Sequence, residues 1–465
     1  MPDCNPDGAT ALGDREYQEG SMSKTQTRTN PVAGLRRTAI AAGVMAAVGL
    51  GGPAVADEGP IKVGILHSLS GTMAISETSL RDVALMTIQQ INEQGGLLGR
   101  ELEPVVMDPA SDWPRYAEQG RELLERHEVD VIFGSWTSVS REAVLPVLEE
   151  LNGLMFYPVQ YEGEESSRNI FYTGAAPNQQ TIPAVEYLMS PEGGGAERFY
   201  LVGTDYVFPR TTNRIVRAFL NHHGVSDDDI EEVYFPFEHS DFQSLVGDIR
   251  SFADGGPTAV INTVNGDSNV AFYQELANQG IDAIDIPVMA TSVGEEELRG
   301  MDTGPLVGHL AAWNYFMSID TPENETFVST WMDYVEAEGL SGGSDRVTND
   351  PMEATHIGIR MWAQAVLQAG TTDVDAVRQA VYGQCVDAPS GFEICMDEEN
   401  HHLHKPVIIG EIQPDGQFAP VWETDGPVRA EPWSEYLEDS RDKVANWRYP
   451  WVCGDCTEPT YELDF

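Results

Sequence analysis

From Ile61 onward, short apolar runs alternate with longer stretches in which apolar residues recur every three or four positions. Ile61–Leu66 has the continuous apolar character of a buried strand, and Ser68-Leu-Ser-Gly71 after it reads as a turn and helix cap. From Leu80 to Glu93 the apolar positions Val83, Leu85, Met86, Ile88 and Ile91 keep helical spacing, and Gly95-Gly96 stops the helix. A strand Glu103–Met107, a helix through Leu124, a strand Val129–Phe133, a helix Ser140–Glu150 and a strand Leu154–Tyr157 continue the cycle. After Gly174-Ala-Ala-Pro177 the pattern restarts with a helix to Met189. Strands follow at Phe199–Gly203, Glu232–Phe235, Ala259–Thr263 and Pro287–Ala290, separated by helices Thr211–His223, Phe242–Ala253 and Asn269–Gln279. Strands alternating with crossover helices predict α/β lobes with doubly wound, mostly parallel sheets, and two successive runs predict two similar lobes.

Open sheets of this kind bind ligands outside the carboxyl ends of their strands. The segments that should line a cleft are therefore Ser68–Ser70, Ser135–Ser138, Pro158–Glu162, Thr204–Pro209, Val264–Ser268 and Thr291–Glu297. Trp136, Thr137 and Ser138 open a helix, where unpaired backbone N–H groups and hydroxyls can hold a carbonyl or carboxylate oxygen. Simple N-capping by Thr137 or Ser138 explains the hydroxyls equally well. Tyr157, Gln160 and Tyr161 belong to an aromatic and amide-rich turn that either faces the site or packs on itself. Asp205, Tyr206, Asn265, Asp267 and Glu295 supply second-lobe acceptors and a ring. Asp205 and Asp267 as mere helix caps, and solvation of part of Glu295–Glu297, are the competing readings. Donors on one side, acceptors on the other and flat rings between them suit a small, polar, planar molecule.

No P-loop, Gly-x-Gly-x-x-Gly fingerprint, Gly-x-Ser-x-Gly elbow or His-Glu-x-x-His helix occurs at these edges, so neither an enzyme nor a cofactor is implied. His401-His402-Leu-His404 lacks a carboxylate at recognised ligand spacing and is read as non-metal.

The chain carries 75 acidic and 27 basic residues, a formal charge of −48. Only four of the basic residues are lysines (Lys24, Lys62, Lys405, Lys443). Such a field repels nucleic acid and anionic lipid. Carboxylates in place of lysine stems suit concentrated salt, where screening shortens to about 3 Å at 1 M, so the charge is read as describing a halophile's medium. Arg36-Arg37, the Ala/Gly/Val run Ala39–Leu50 and Ala54-Val55-Ala56 have the grammar of an export signal, of twin-arginine rather than Sec character. An extracytoplasmic protein can keep disulfides. Cys385 and Cys395 flank a hairpin-like turn, and Cys453 and Cys456 are a second candidate pair, each read as structural before metal or redox.

Seven motifs carry a family resemblance. They are Ile65–Glu77, Asp108–Pro114, Tyr157–Gly163, Tyr172–Gln180, Asp205–Arg210, Asn265–Phe272 and Ala312–Ser318. Together they resemble the urea-binding proteins of ATP-driven urea importers, from about Ile61 to Tyr436; amide-sensing relatives share several of them. The resemblance implies a two-lobed type I periplasmic-binding-protein fold with three interlobe crossovers that closes on its ligand. Residues 1–56 are then an export signal and leader, 57–176 with 297–396 lobe 1, 177–296 with 397–440 lobe 2, and 441–465 a tail. It implies ligand contacts at Trp136, Thr137, Ser138, Tyr157 to Tyr161, Tyr206, Asn265 to Asp267 and Glu295. It also implies urea or a short aliphatic amide as ligand, a membrane permease with its ATPase as partners, and no insertion of the mature chain into the membrane. Branched-chain amino acids fit the motifs less well.

Overall fold

A computed structural model describes residues 59–438 and 440. The first lobe is built on β1 (Ile61–Leu66), β2 (Leu102–Met107), β3 (Val131–Gly134), β4 (Met155–Tyr157) and β5 (Ile170–Tyr172), all parallel, in the order β2-β1-β3-β4-β5. Every residue of β3, β4 and β5 is buried, which a strand covered on both faces requires. Successive side chains serve two cores. Ile61, Val63, Ile65 and Phe133 pack toward helices Ala74–Glu93 and Asp350–Ala369, while Leu66 and Ile132 pack toward Trp113–Glu125 and Ser138–Leu151.

The second lobe holds β6 (Arg198–Thr204), β7 (Ile230–Phe235), β8 (Thr258–Thr263), β9 (Val288–Ala290) and β10 (Leu310–Trp313), again parallel. The chain then returns to the first lobe for helix Asp350–Ala369 and the hairpin β11 (Cys385–Asp387) and β12 (Glu393–Cys395). Finally β13 (Ile408–Ile412) and β14 (Phe418–Glu423) extend the second sheet antiparallel from β10, giving the order β14-β13-β10-β9-β8-β6-β7. Cys385 and Cys395 face each other in the hairpin register and are disulfide-bonded.

The strands move both expected lobe boundaries. β10 pairs with β9 and β13, so residues 297–313 belong with the second sheet and not with the first lobe. Residues 397–403 stay with the first lobe, because His402 bridges to Tyr172 and Leu403 to Met396. The chain thus crosses between lobes three times: between β5 and β6, after β10, and between β12 and β13.

Those crossings are pinned together. Asn314 donates from Nδ2 to the carbonyls of Gln179 (2.9 Å) and Pro406 (2.6 Å), one from each of the other two crossings. Gln179 Nε2 donates to Leu403 O (2.8 Å) and Val428 O (2.7 Å). Lys405, fully buried, donates from Nζ to Thr173 O (3.2 Å) and Asp350 Oδ2 (3.3 Å), with Glu353 Oε2 3.7 Å away. Among the described residues no helix is long and apolar enough to cross a membrane. The export signal, Cys453, Cys456 and the tail lie outside the described residues.

Candidate interlobe ligand site

Each sheet reverses its order once, between β1 and β3 in the first lobe and between β6 and β8 in the second. Crevices for ligands form outside the strand ends at such reversals. The two reversals meet: Trp136, just after β3, donates from Nε1 to Asn265 Oδ1, just after β8, at 3.4 Å. Ser135 beside it has a positive φ of 65°, uncommon outside glycine, and its buried Oγ has no hydrogen-bond partner.

Three further contacts join the lobes. Gln160 donates from Nε2 to Thr291 O and Ser292 Oγ, both at 2.8 Å, which leaves its buried Oε1 without a partner. Ser76 Oγ donates to Glu297 Oε1 (2.6 Å), and Thr72 Oγ1 donates to Asp267 Oδ1 (2.7 Å). The lobes are therefore in a closed arrangement, with predicted strand-end segments from both halves in contact.

The rings form the walls. Tyr157 donates its hydroxyl to Trp136 O, and Tyr206 is buried with its ring 4.9 Å from Phe237. Burial pushes the Tyr206 phenol well above its usual range, helped by neighbouring Tyr157 and Glu162. Val139, from the first-lobe helix Ser138–Leu151, packs against the buried cluster of Tyr206, Val207 and Phe208, which places this second-lobe ring beside the first lobe.

Several expected contacts are committed elsewhere. Thr137 Oγ1 accepts from Ser140 N (3.2 Å), so that hydroxyl caps the helix. Ser138 Oγ donates to Glu162 and has no proton left for a ligand oxygen. Tyr161 belongs to the lobe interior: its ring stacks 4.8 Å from Tyr172, and its hydroxyl donates to Glu165 O (3.1 Å). Asp205 is held by Arg210 Nε at 2.6 Å, and Arg210 lies over Tyr234 on the β7 side, away from the reversal point. Asp267 sits at an exposed rim with Thr72. Glu295 accepts from Met317 N at 2.7 Å; burial, with Glu297 and Asp350 nearby, raises its carboxyl to about 8, so at neutral pH it holds a proton. None of Glu295–Glu297 is solvated: Glu296 pairs with Arg299 at 2.6 Å and Glu297 takes the Ser76 proton. The short helix Glu295–Leu298 packs against Ala74–Glu93, and all three glutamates are buried.

The histidines at 401–404 have separate partners. His401 stacks on Phe171 (4.5 Å), His402 on Tyr172 (4.5 Å), and His404 bonds Asp397 (2.8 Å).

Sequence reasoning missed one cluster. Arg141, fully buried one turn after Ser138, pairs with Glu162 (2.9 Å) and Glu165 (2.7 Å) beneath the rings of Tyr157 and Tyr161. The i,i+3 step from Ser138 to Arg141 was the available signal, but two glutamates among 75 acidic residues do not stand out by type.

Two α/β lobes on pinned crossings, closed over facing strand ends, define the class of two-lobed ligand clamps. A family model described as "Periplasmic binding protein domain" matches residues 61–439, and the chain belongs to this family. The Leu/Ile/Val-binding protein homolog 7 of Brucella melitensis is 23% identical over 400 residues, 82% of this chain and 96% of that protein. A limonene hydroxylase of Geobacillus stearothermophilus is 34% identical over 145 residues, and the chain spans only 25% of its length. Among solved structures, the solute binding protein of an ABC transporter from Rhodopseudomonas palustris HaA2, in complex with p-hydroxybenzoic acid, superposes with a TM-score of 0.69 at 21% identity. That match covers 81% of this chain and 99% of the other. A leucine binding protein from Thermotoga maritima gives a TM-score of 0.65 at 17% identity, over 78% and 98% of the two chains. The fold expected from the sequence, two mostly parallel α/β lobes, is the fold observed.

Proposed function

We propose that this protein captures urea between its lobes outside the cytoplasm and presents the closed form to the permease of an ATP-driven importer. Gln160 carries the reading. Both of its amide protons go to the second lobe, so its buried Oε1 (unpartnered within the protein) asks a ligand for a donor. Urea supplies N–H donors on two sides and one acceptor oxygen. The first amides of helix Ser138–Leu151 would take that oxygen, and Trp136, Tyr157 and Tyr206 would cover the planar faces. A buried acceptor left unpaired costs about 1–3 kcal/mol, which discriminates against molecules that have no N–H to offer. Closure would occlude the ligand, and the permease would read the closed pair of lobes. Short aliphatic amides are the second reading, favoured by the same unpaired Gln160 oxygen, which needs only one N–H.

Calorimetric titration in high salt with urea, acetamide, leucine and p-hydroxybenzoate tests this. Urea binding most tightly, with no ammonia released, is the expected result. Tight leucine or p-hydroxybenzoate binding with no urea response would reject it, and steady ammonia release would replace binding with hydrolysis.

A further inference from the structure

Behind the ring walls lies an ionic cluster whose charge bears on ligand choice. Arg141 donates from Nε to Glu165 Oε1 (2.7 Å) and from Nη2 to Glu162 Oε1 (2.9 Å) and Glu165 Oε2 (3.2 Å). Its Nη1 donates to Ser138 Oγ at 3.2 Å. One guanidinium is thus answered by two carboxylates, all three side chains being buried. A third acid stands close by: burial together with Glu165 and Glu162 pushes the Glu142 carboxyl well above its usual range. Arg141 has spent most of its five donors inside the protein.

Ser138 transmits this arrangement to the cleft side. Its hydroxyl proton goes to Glu162 and one lone pair is taken by Arg141, so its remaining capacity is that of an acceptor. An N–H meets a favourable partner there, and a carboxylate oxygen meets lone pairs.

We propose that Glu162 and Glu165 screen Arg141 so that the cleft refuses carboxylate ligands and takes neutral molecules rich in N–H donors, with Glu162 the specificity-determining residue. This rests on the cleft being the ligand site, and it adds the reason why a fold that holds a carboxylic acid in a Rhodopseudomonas relative would hold an amide here. Glu162 acts through Ser138 and through its field on Tyr206, so it is a positioning residue.

Acetamide and acetate have nearly the same shape and differ in charge and donors, so their affinity ratio isolates the effect. The wild-type protein should prefer acetamide by about a hundredfold or more, and Glu162→Gln should cut that ratio about tenfold or more by gaining acetate affinity. Glu162→Asp, which restores the charge, should return the ratio toward wild type. If Glu162→Gln weakens both ligands in equal proportion, the role is structural and the inference is overturned. Should that variant fail to fold, Glu165→Gln on the other side of the guanidinium gives the same readout. A wild-type protein that binds neither urea nor acetamide defeats the urea reading, and p-hydroxybenzoate then decides the screen separately. Binding that appears only in Glu162→Gln upholds the screen; wild-type binding, or binding by neither, overturns it.

Discussion

The hinge and the cleft both join the lobes through buried polar groups, but they do so differently. At the hinge, side chains bond backbone carbonyls: Asn314 reaches Gln179 and Pro406 in the other two crossings, Gln179 reaches Leu403 and, beyond β14, Val428, and Lys405 reaches Thr173. None of those groups needs to part when the lobes separate. Across the cleft, each bond is a single side-chain contact between halves, and Ser135 Oγ and Gln160 Oε1 are buried without a partner. Buried acceptors without a hydrogen-bond partner occur at the hinge as well (Asn314 Oδ1, Asp350 Oδ1 and Glu353 Oε2), so the regions differ in what their bonds join. Crossings tied to one another set an axis, whereas side chains meeting between the lobes sit where a ligand can bind. Substitutions in the two regions should therefore fail in different assays.

The largest effect is expected at the hinge. Lys405→Met leaves Asp350 and Glu353 buried without their cation, and breaking a buried pair in this way costs about 3–5 kcal/mol. Guanidinium denaturation should show that loss, and urea should not be the denaturant for a protein proposed to bind it. Gln160→Ala at the cleft should leave the melt nearly unchanged. If both variants melt alike, the distinction between hinge and cleft collapses.

Stability should also peak in mild acid. Burial raises Glu353, Glu297 and Glu164 to about 7 and Glu295 to about 8. A raised carboxyl contributes stability below its unfolded value and loses it as pH climbs through the folded one. Burial lowers His309 and His401 to about 4, and His356 and His402 to about 3. That contribution is present above about 6.5 and lost as pH falls. The two sets oppose each other between about pH 4.5 and 6.5, so the melting temperature should be highest there and fall on either side. A melting temperature still rising from pH 6.5 to 8 would contradict the protonated glutamates.

Affinity, by contrast, should respond to Trp136 and Gln160. Trp136→Ala removes a ring and the Asn265 contact, and should cost urea about tenfold to a hundredfold in calorimetry. Gln160→Ala removes the acceptor and two interlobe bonds and should cost about tenfold. Full affinity in either variant takes that residue out of the site.

The sequence made the frame readable because periodicity and strand-end position are local properties. The strand-end rule brought Trp136, Asn265, Gln160 and Thr291 to the same junction from residues more than a hundred positions apart. Not every short strand was legible: β3, β4 and β9 were read, but β5 and β10, equally short, escaped the reading, and missing β10 moved a lobe boundary. Side-chain commitments escaped it too. Whether Ser138 gives its proton to a ligand or to Glu162, and whether Asp205 meets a ligand or Arg210, depends on where a neighbouring loop folds back. Burial of Glu295–Glu297 depends on contacts with residues distant in sequence, such as Ser76 and Met317, so no local pattern announces it.

The smallest predicted effect marks the edge of the cleft. Thr72 and Asp267 hydrogen-bond across the lobes at 2.7 Å, in a position open to solvent. Water replaces each partner readily there, so the bond adds little net energy, about 0.5 kcal/mol. Thr72→Ala should weaken urea binding no more than about threefold. Gln160 makes its bonds where solvent is excluded, and its loss should weigh more although both residues span the same gap. If Thr72→Ala costs as much as Gln160→Ala, closure is driven from the rim, and the unpaired Gln160 oxygen loses its claim to mark where the ligand sits.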